Sequence, residues 1–124
     1  NANPASMRVT IAAMGRTPAR RRIALLGTMG ELGAAADEYH LKIFDQLVAA
    51  KVDYAILVGE GMAVLARKLS SGVEDGFDFA HCDTAQDALV RLRGYIGDGD
   101  VVLVKGSNFL GLSKIVSSLL EGSD

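Results

Sequence analysis

Apolar and polar residues follow two rhythms along this chain, and the places where one gives way to the other predict its elements. Ile23-Ala-Leu-Leu26, Tyr54-Ala-Ile-Leu-Val58 and Val101-Val-Leu-Val104 are apolar without alternation, as suits strands buried on both faces of a parallel sheet. Phe77-Asp-Phe-Ala-His81 is a more polar run, which belongs near a sheet edge. Between these runs the spacing turns helical. Met7, Ile11 and Met14 form one stripe, and Tyr39, Ile43 and Leu47 with His40, Phe44 and Val48 form another. Met62–Leu69 makes a third helix, and a fourth turns Ala88, Leu89 and Leu92 inward. A last helical pattern is read at Leu110, Leu112, Ile115, Val116 and Leu119.

Punctuation supports these assignments. Gly15 ends the first helix, and Gly15–Arg22, with Arg20, Arg21 and Arg22, reads as an exposed connection, a solvated turn more than a phosphate contact. Asp37 is the expected cap of the second helix, with Glu38 and Lys42 four apart on its exposed face. Ser70-Ser71-Gly72 stops the third helix, and Thr84, with Asp87 three residues on, caps the fourth. Strands alternating with helices imply right-handed crossovers. The fold expected is therefore α/β, a three-layer α/β/α Rossmann-like sandwich with a mainly parallel sheet. Its strand order is 4-1-2-3, with the Phe77 strand outermost.

Composition narrows the function. The 124 residues suit one domain. A net charge of −2 argues against nucleic acid or an anionic membrane surface as partner. The apolar runs are strand-sized, so no membrane span is expected. The first residues lack the regions of a signal peptide. Cys82 is the single cysteine, which excludes an internal disulfide framework. A cytoplasmic protein follows as the expectation.

Candidate chemistry gathers at strand ends. Lys105-Gly106-Ser107 closes the Val101 strand ahead of an expected helix N-terminus, where free amides favour anions and Gly106 lets the backbone come close. The plain alternative is a surface lysine in an ordinary turn. Glu31 stands on the glycine-rich loop Thr28-Met-Gly-Glu-Leu-Gly33, either as a functional carboxylate or as a solvated loop residue. His40 reads as a packed helix residue. No G-x-x-x-x-G-K-[S/T] loop is present, and Gly59-Glu60-Gly61-Met62-Ala63-Val64 lacks the third glycine of a dinucleotide fingerprint. His81 beside Cys82 is no metal quartet, and no metal ligands are assigned.

Asn1-Ala-Asn-Pro-Ala-Ser-Met7, Leu26-Gly-Thr-Met-Gly-Glu-Leu-Gly33, His40 and Val102-Leu-Val-Lys-Gly-Ser107 occur in one order over nearly the whole chain. Together they resemble the C-terminal domain of the Mur ligases, and within that family the members that add D-alanyl-D-alanine to UDP-N-acetylmuramoyl-tripeptide. The resemblance implies that residues 1–124 are the third domain of a larger enzyme, after a domain for the UDP-sugar peptide and a central ATPase domain. It implies ATP and Mg2+ as cofactors of the whole enzyme, bound weakly if at all by this domain alone. ATP would phosphorylate the substrate carboxylate, and the dipeptide amine would attack the acyl phosphate. Lys105 takes the catalytic role on this view. Ser107, Asn108, Glu31 and His40 contact the incoming dipeptide, and Asn1, Asn3 and Pro4 lie near the nucleotide. Thr28 and Asn108 stand where that ligase usually has Asp and often Arg, so no charge-dependent role carries over to them. The resemblance also leaves the Val101 strand short of a neighbour, an open edge. A stand-alone receiver-like or small-ligand module is the alternative. The strand ends Gly27-Thr28, Gly59-Glu60 and Lys105-Gly106 lack the acidic cluster and phosphoacceptor Asp that a receiver needs.

Overall fold

Asn3 sets the first helix going. In the computed structural model, which describes residues 3–72, 77–106 and 114–117, the Asn3 side chain accepts from the Ser6 amide at 2.9 Å. Its own amide donates back to the Ser6 hydroxyl at 3.3 Å, and Pro4 occupies the first turn of α1 (Pro4–Gly15). The chain continues through β1 (Arg21–Gly27), α2 (Ala36–Ala49), β2 (Tyr54–Val58), α3 (Ala63–Gly72) and β3 (Asp78–Cys82). It then forms α4 (Ala85–Tyr95), β4 (Asp100–Lys105) and β5 (Lys114–Ser117). No described helix is long and apolar enough to cross a membrane.

The sheet order is β3-β2-β1-β4-β5. The first four strands are parallel, with Leu26 of β1 paired to Leu57 and to Lys105. The expected order of the four parallel strands, with β3 outermost, is therefore the observed one. Both sheet faces are buried, which is why the strands do not alternate in polarity. Ala24, Leu26, Ala55, Leu57, Val101 and Leu103 pack beneath α1, α2 and α3. Their neighbours Ile23, Leu25, Ile56, Val58, Val102 and Val104 lie on the α4 side with Ala88 and Leu92.

The fifth strand corrects two expectations. Ile115 and Val116, read as helical, lie in β5, which pairs antiparallel with β4 through Val102↔Val116 and Leu103↔Ile115. β-Branched residues suit a strand, and β4 would otherwise expose unpaired amides and carbonyls. Hence β4 is not an edge. Leu110, Leu112 and Leu119 lie outside the described residues.

Smaller corrections concern helix ends and faces. Asp37 does not cap α2. A 3-10 turn over Gly33–Ala35 runs straight into the helix, so Asp37 sits in its first turn, where it still favours the helix dipole. His40, Ile43 and Leu47 form its buried line, whereas Tyr39 and Val48 are exposed. Glu38 and Lys42 form no ion pair; the Lys42 ammonium lies over the Tyr39 ring at 5.4 Å. α3 ends at Gly72, within the Ser70-Ser71-Gly72 stretch expected to close it, and the Ser70 and Ser71 hydroxyls donate to the carbonyls of Ala66 and Lys68 in its last turns. Thr84 caps α4 as expected, accepting from the Asp87 amide at 3.1 Å.

The arginine run is not a solvated turn. Arg21 opens β1 and grips Asp100 at the start of β4 with two nitrogens, at 2.8 and 3.2 Å. Arg20 adds a contact at 3.2 Å and the Gly97 amide donates at 2.8 Å. Arg21 also lies over the Tyr95 ring at 4.2 Å and donates to the Tyr95 carbonyl. Arg22 donates to the carbonyls of Met14 and Thr17. Burial alone would raise the Asp100 carboxyl. The hydrogen bonds from Arg21 and Gly97 outweigh it and hold that group below its ordinary value.

Candidate functional site

The chain leaves β1 for β2 on one side and returns through α4 to β4 on the other. The connecting helices α2 and α4 therefore lie on opposite faces, so the carboxyl ends of β1 and β4 form the switch point at which sheets of this kind open a ligand crevice. The loop after β1 and the end of β4 meet there.

The crevice floor is backbone. Gly106 has φ +139, and a Cβ there would lie 2.6 Å from the Gly27 Cα. The close approach that Gly106 permits is thus to Gly27. Lys105, the last residue of β4, is 7% exposed. Among the described residues it forms no ion pair. A long amine held this deep, with no carboxylate partner among the described residues, can present charge to an anion at the crevice.

Thr28 fastens the loop to its neighbouring strand. Its amide and its hydroxyl both donate to the Val58 carbonyl, at 3.0 and 2.9 Å. An ionised aspartate has no proton to give in place of that hydroxyl. Beyond it, Met29 is buried, whereas Gly30 and Glu31 are exposed. Glu31 has φ +58, a left-handed conformation that costs a non-glycine residue about 1 kcal/mol. Such conformations persist where surrounding structure imposes them.

His40 is 1% exposed. Its Nε2 accepts from the Met29 amide at 2.9 Å, and its Nδ1 lies 2.7 Å from the Ala36 carbonyl. An amide can only donate and a carbonyl can only accept, so the ring carries its proton on Nδ1. Both ring nitrogens are thus engaged within the chain. At the next pair of strands His81 donates to the Gly59 carbonyl at 2.6 Å. No sequence pattern signalled that contact, because it is made by a loop carbonyl 22 positions away.

Asn3 and Pro4 stand at the start of α1. A cleft of about 320 Å³ opens beside them, lined among others by Pro4, Arg8, Tyr39, Lys42 and Gln46. Met29 also lines it, so one residue joins the cleft to the crevice loop. The Gln46 Oε1 is a buried acceptor without a hydrogen bond among the described residues. Among those residues no group of three or more His, Cys, Asp or Glu is placed to hold a metal ion. Asn1, Ser107 and Asn108 lie outside the described residues.

Residues 1–108 match the family described as Mur ligase, glutamate ligase domain. A UDP-N-acetylmuramoyl-tripeptide–D-alanyl-D-alanine ligase of Mycobacterium tuberculosis is 34% identical over 138 residues, covering 97% of this chain and 27% of its own. The Escherichia coli ligase of the same name is 30% identical over 124 residues, covering 98% of this chain and 25% of its own. A crystal structure of MurF ligase from Thermotoga maritima in complex with ADP aligns at a TM-score of 0.49 and 19% identity, over 74% of this chain and 26% of that one. The chain thus spans about a quarter of the length of the curated relatives it matches.

Proposed function

Because the chain belongs to the Mur ligase family, through its glutamate ligase domain, we propose that it works as the third, C-terminal domain of an ATP-dependent ligase. That enzyme joins D-alanyl-D-alanine to UDP-N-acetylmuramoyl-tripeptide in the cytoplasm, a step of peptidoglycan precursor synthesis. One observation carries the reading. The two stretches most like that ligase, Leu26–Gly33 and Val102–Ser107, are far apart in sequence, yet Leu26 and Lys105 are paired neighbours at the crevice.

The chemistry suits these residues. Activation of the tripeptide carboxylate builds negative charge that the Lys105 ammonium stabilises when the domain closes. The dipeptide amine attacks the activated carbonyl carbon, an amide bond forms, and phosphate leaves. Glu31 receives that amine at the opposite wall, while Ser107 and Asn108 add contacts to the dipeptide. Closure excludes the water that would otherwise hydrolyse the acyl phosphate.

ATP supplies the phosphoryl group, and the cleft beside α1 fits part of a nucleotide. Pro4 and Tyr39 offer flat surface, Gln46 an unpartnered acceptor, and Arg8 and Lys42 positive charge. No phosphate loop occurs in the sequence, and no metal-holding cluster occurs among the described residues. On this reading the triphosphate and its Mg2+ are held chiefly by the central ATPase domain.

The test is amide formation by the full-length protein from UDP-N-acetylmuramoyl-tripeptide, D-alanyl-D-alanine and ATP, beside the same assay on the chain of residues 1–124. The full-length protein is expected to release phosphate only when the dipeptide is present, and the chain alone to release none. Sustained ATP turnover by the purified chain would overturn the reading, as would a full-length protein indifferent to the dipeptide.

A further inference from the structure

We infer that His40 is a positioning residue: it holds the 28–33 loop, and with it the Glu31 carboxylate, at the crevice between β1 and β4. The inference rests on the reading above, in which Glu31 receives the incoming amine.

The geometry is that of a clamp. The imidazole sits inside the fold between the Ala36 carbonyl of α2 and the Met29 amide of the loop. Met29 is 3% exposed and packs into the core beneath α1 and α2, so both its main chain and its side chain are pinned. Glu31 follows two residues later. Among the described residues, neither Gly30 nor Glu31 makes a backbone hydrogen bond to another element. The direction of the Glu31 side chain is therefore set by its left-handed backbone and by the anchor at Met29. Since both ring nitrogens are occupied, His40 acts on the reaction through the loop.

Two substitutions separate the two bonds. In His40→Gln the side-chain oxygen reaches the place of Nε2 and keeps an acceptor for the Met29 amide, while the donor to Ala36 is lost. In His40→Asn the amide nitrogen takes the place of Nδ1 and keeps Ala36, while the buried Met29 N–H loses its partner. Both are made in the full-length ligase, read by dipeptide KM, kcat and hydrogen exchange over residues 28–33. His40→Asn is expected to raise dipeptide KM about tenfold and to speed Met29 exchange by a similar factor. His40→Gln should stay within about threefold of wild type on both, the rescue a merely space-filling ring would not show. Equal effects of the two variants, or no effect of His40→Asn, would overturn the inference. Should His40→Asn fail to fold, His40→Gln decides alone, and fast exchange at Met29 in that variant sinks the idea. Glu31→Gln separates the two levels. If it leaves dipeptide KM unchanged while His40→Asn loosens Met29, the role given to Glu31 fails and the clamp stands. If Glu31→Gln raises KM and His40→Asn does not, the clamp fails.

Discussion

The two ends of this sheet treat charge in opposite ways. At the amino ends of β1 and β4, Asp100 is 0% exposed and surrounded: Arg21 grips it with two nitrogens, and Arg20 and the Gly97 amide add to the hold. At the carboxyl ends of the same two strands, Lys105 is nearly as deep and forms no ion pair among the described residues. On the loop after β1, Glu31 is exposed on a strained backbone. A buried charge satisfied within its own chain is part of the scaffold. One left for an outside partner marks a site, because desolvating it without compensation would otherwise only cost stability. Substitution should separate the two ends, stability moving at one and turnover at the other.

The largest stability effect belongs to the amino end. Arg21→Ala removes the bidentate partner of a fully buried carboxylate and is expected to cost about 3–5 kcal/mol, read as a drop in denaturant midpoint. A loss under about 1 kcal/mol would show that Arg20 and Gly97 suffice to hold Asp100. At the carboxyl end, Gly106→Ala sharpens the contrast from the other side. A Cβ at φ +139, pressed on the Gly27 backbone, should cost about 2–3 kcal/mol, so here backbone rather than charge bears the stability. A melting temperature like that of wild type would mean the strand ends part readily.

Acid offers a gentler probe of the same division. The Asp100 carboxyl lies below its ordinary value of 3.8 in the folded state. Its contribution is therefore complete above that value and is lost as pH falls through the lower, folded one. Arg21→Ala removes the interaction that lowers it. The stability gap between variant and wild type should narrow on acidification below about pH 4, and a gap that stays constant with pH would contradict this. The smallest effect expected is at Thr28→Val, which keeps the shape but loses the hydroxyl bond to the Val58 carbonyl. A cost of about 1 kcal/mol is expected, seen as a small shift in melting temperature. No shift would make the amide bond to Val58 sufficient by itself.

The sequence made the scaffold easier to read than the site. Unbroken apolar runs at Ile23, Tyr54 and Val101 announced strands covered on both faces, and their order followed from burial, with the family resemblance in agreement. The short pieces failed where neighbours decide. Ile115 and Val116 suit a helix by spacing, and only the unfilled edge of β4 makes them a strand. Asp37 looks like a cap until a preceding 3-10 turn carries the chain past it. Arg21 looked solvated because its partner Asp100 lies 79 residues away. At the crevice, strand-end position singled out the loop with Glu31 and the strand end with Lys105 as candidates, each beside the plain reading of a solvated residue. The clamp at His40 was not, since a histidine on an apolar stripe shows neither which atoms its nitrogens meet nor that one of them is a loop amide.

The most direct measurement is Lys105→Ala in the full-length ligase, with turnover, dipeptide dependence and melting followed together and Arg21→Ala run beside it. Lys105→Ala is expected to lose about 2–4 kcal/mol of transition-state stabilisation while losing far less stability than Arg21→Ala, because removing a buried charge offsets the packing given up by its stem. Arg21→Ala should melt early, yet turn over normally per folded molecule. If Lys105→Ala keeps its activity, or loses it only in step with unfolding, the carboxyl end is scaffold like the amino end, and the account is wrong.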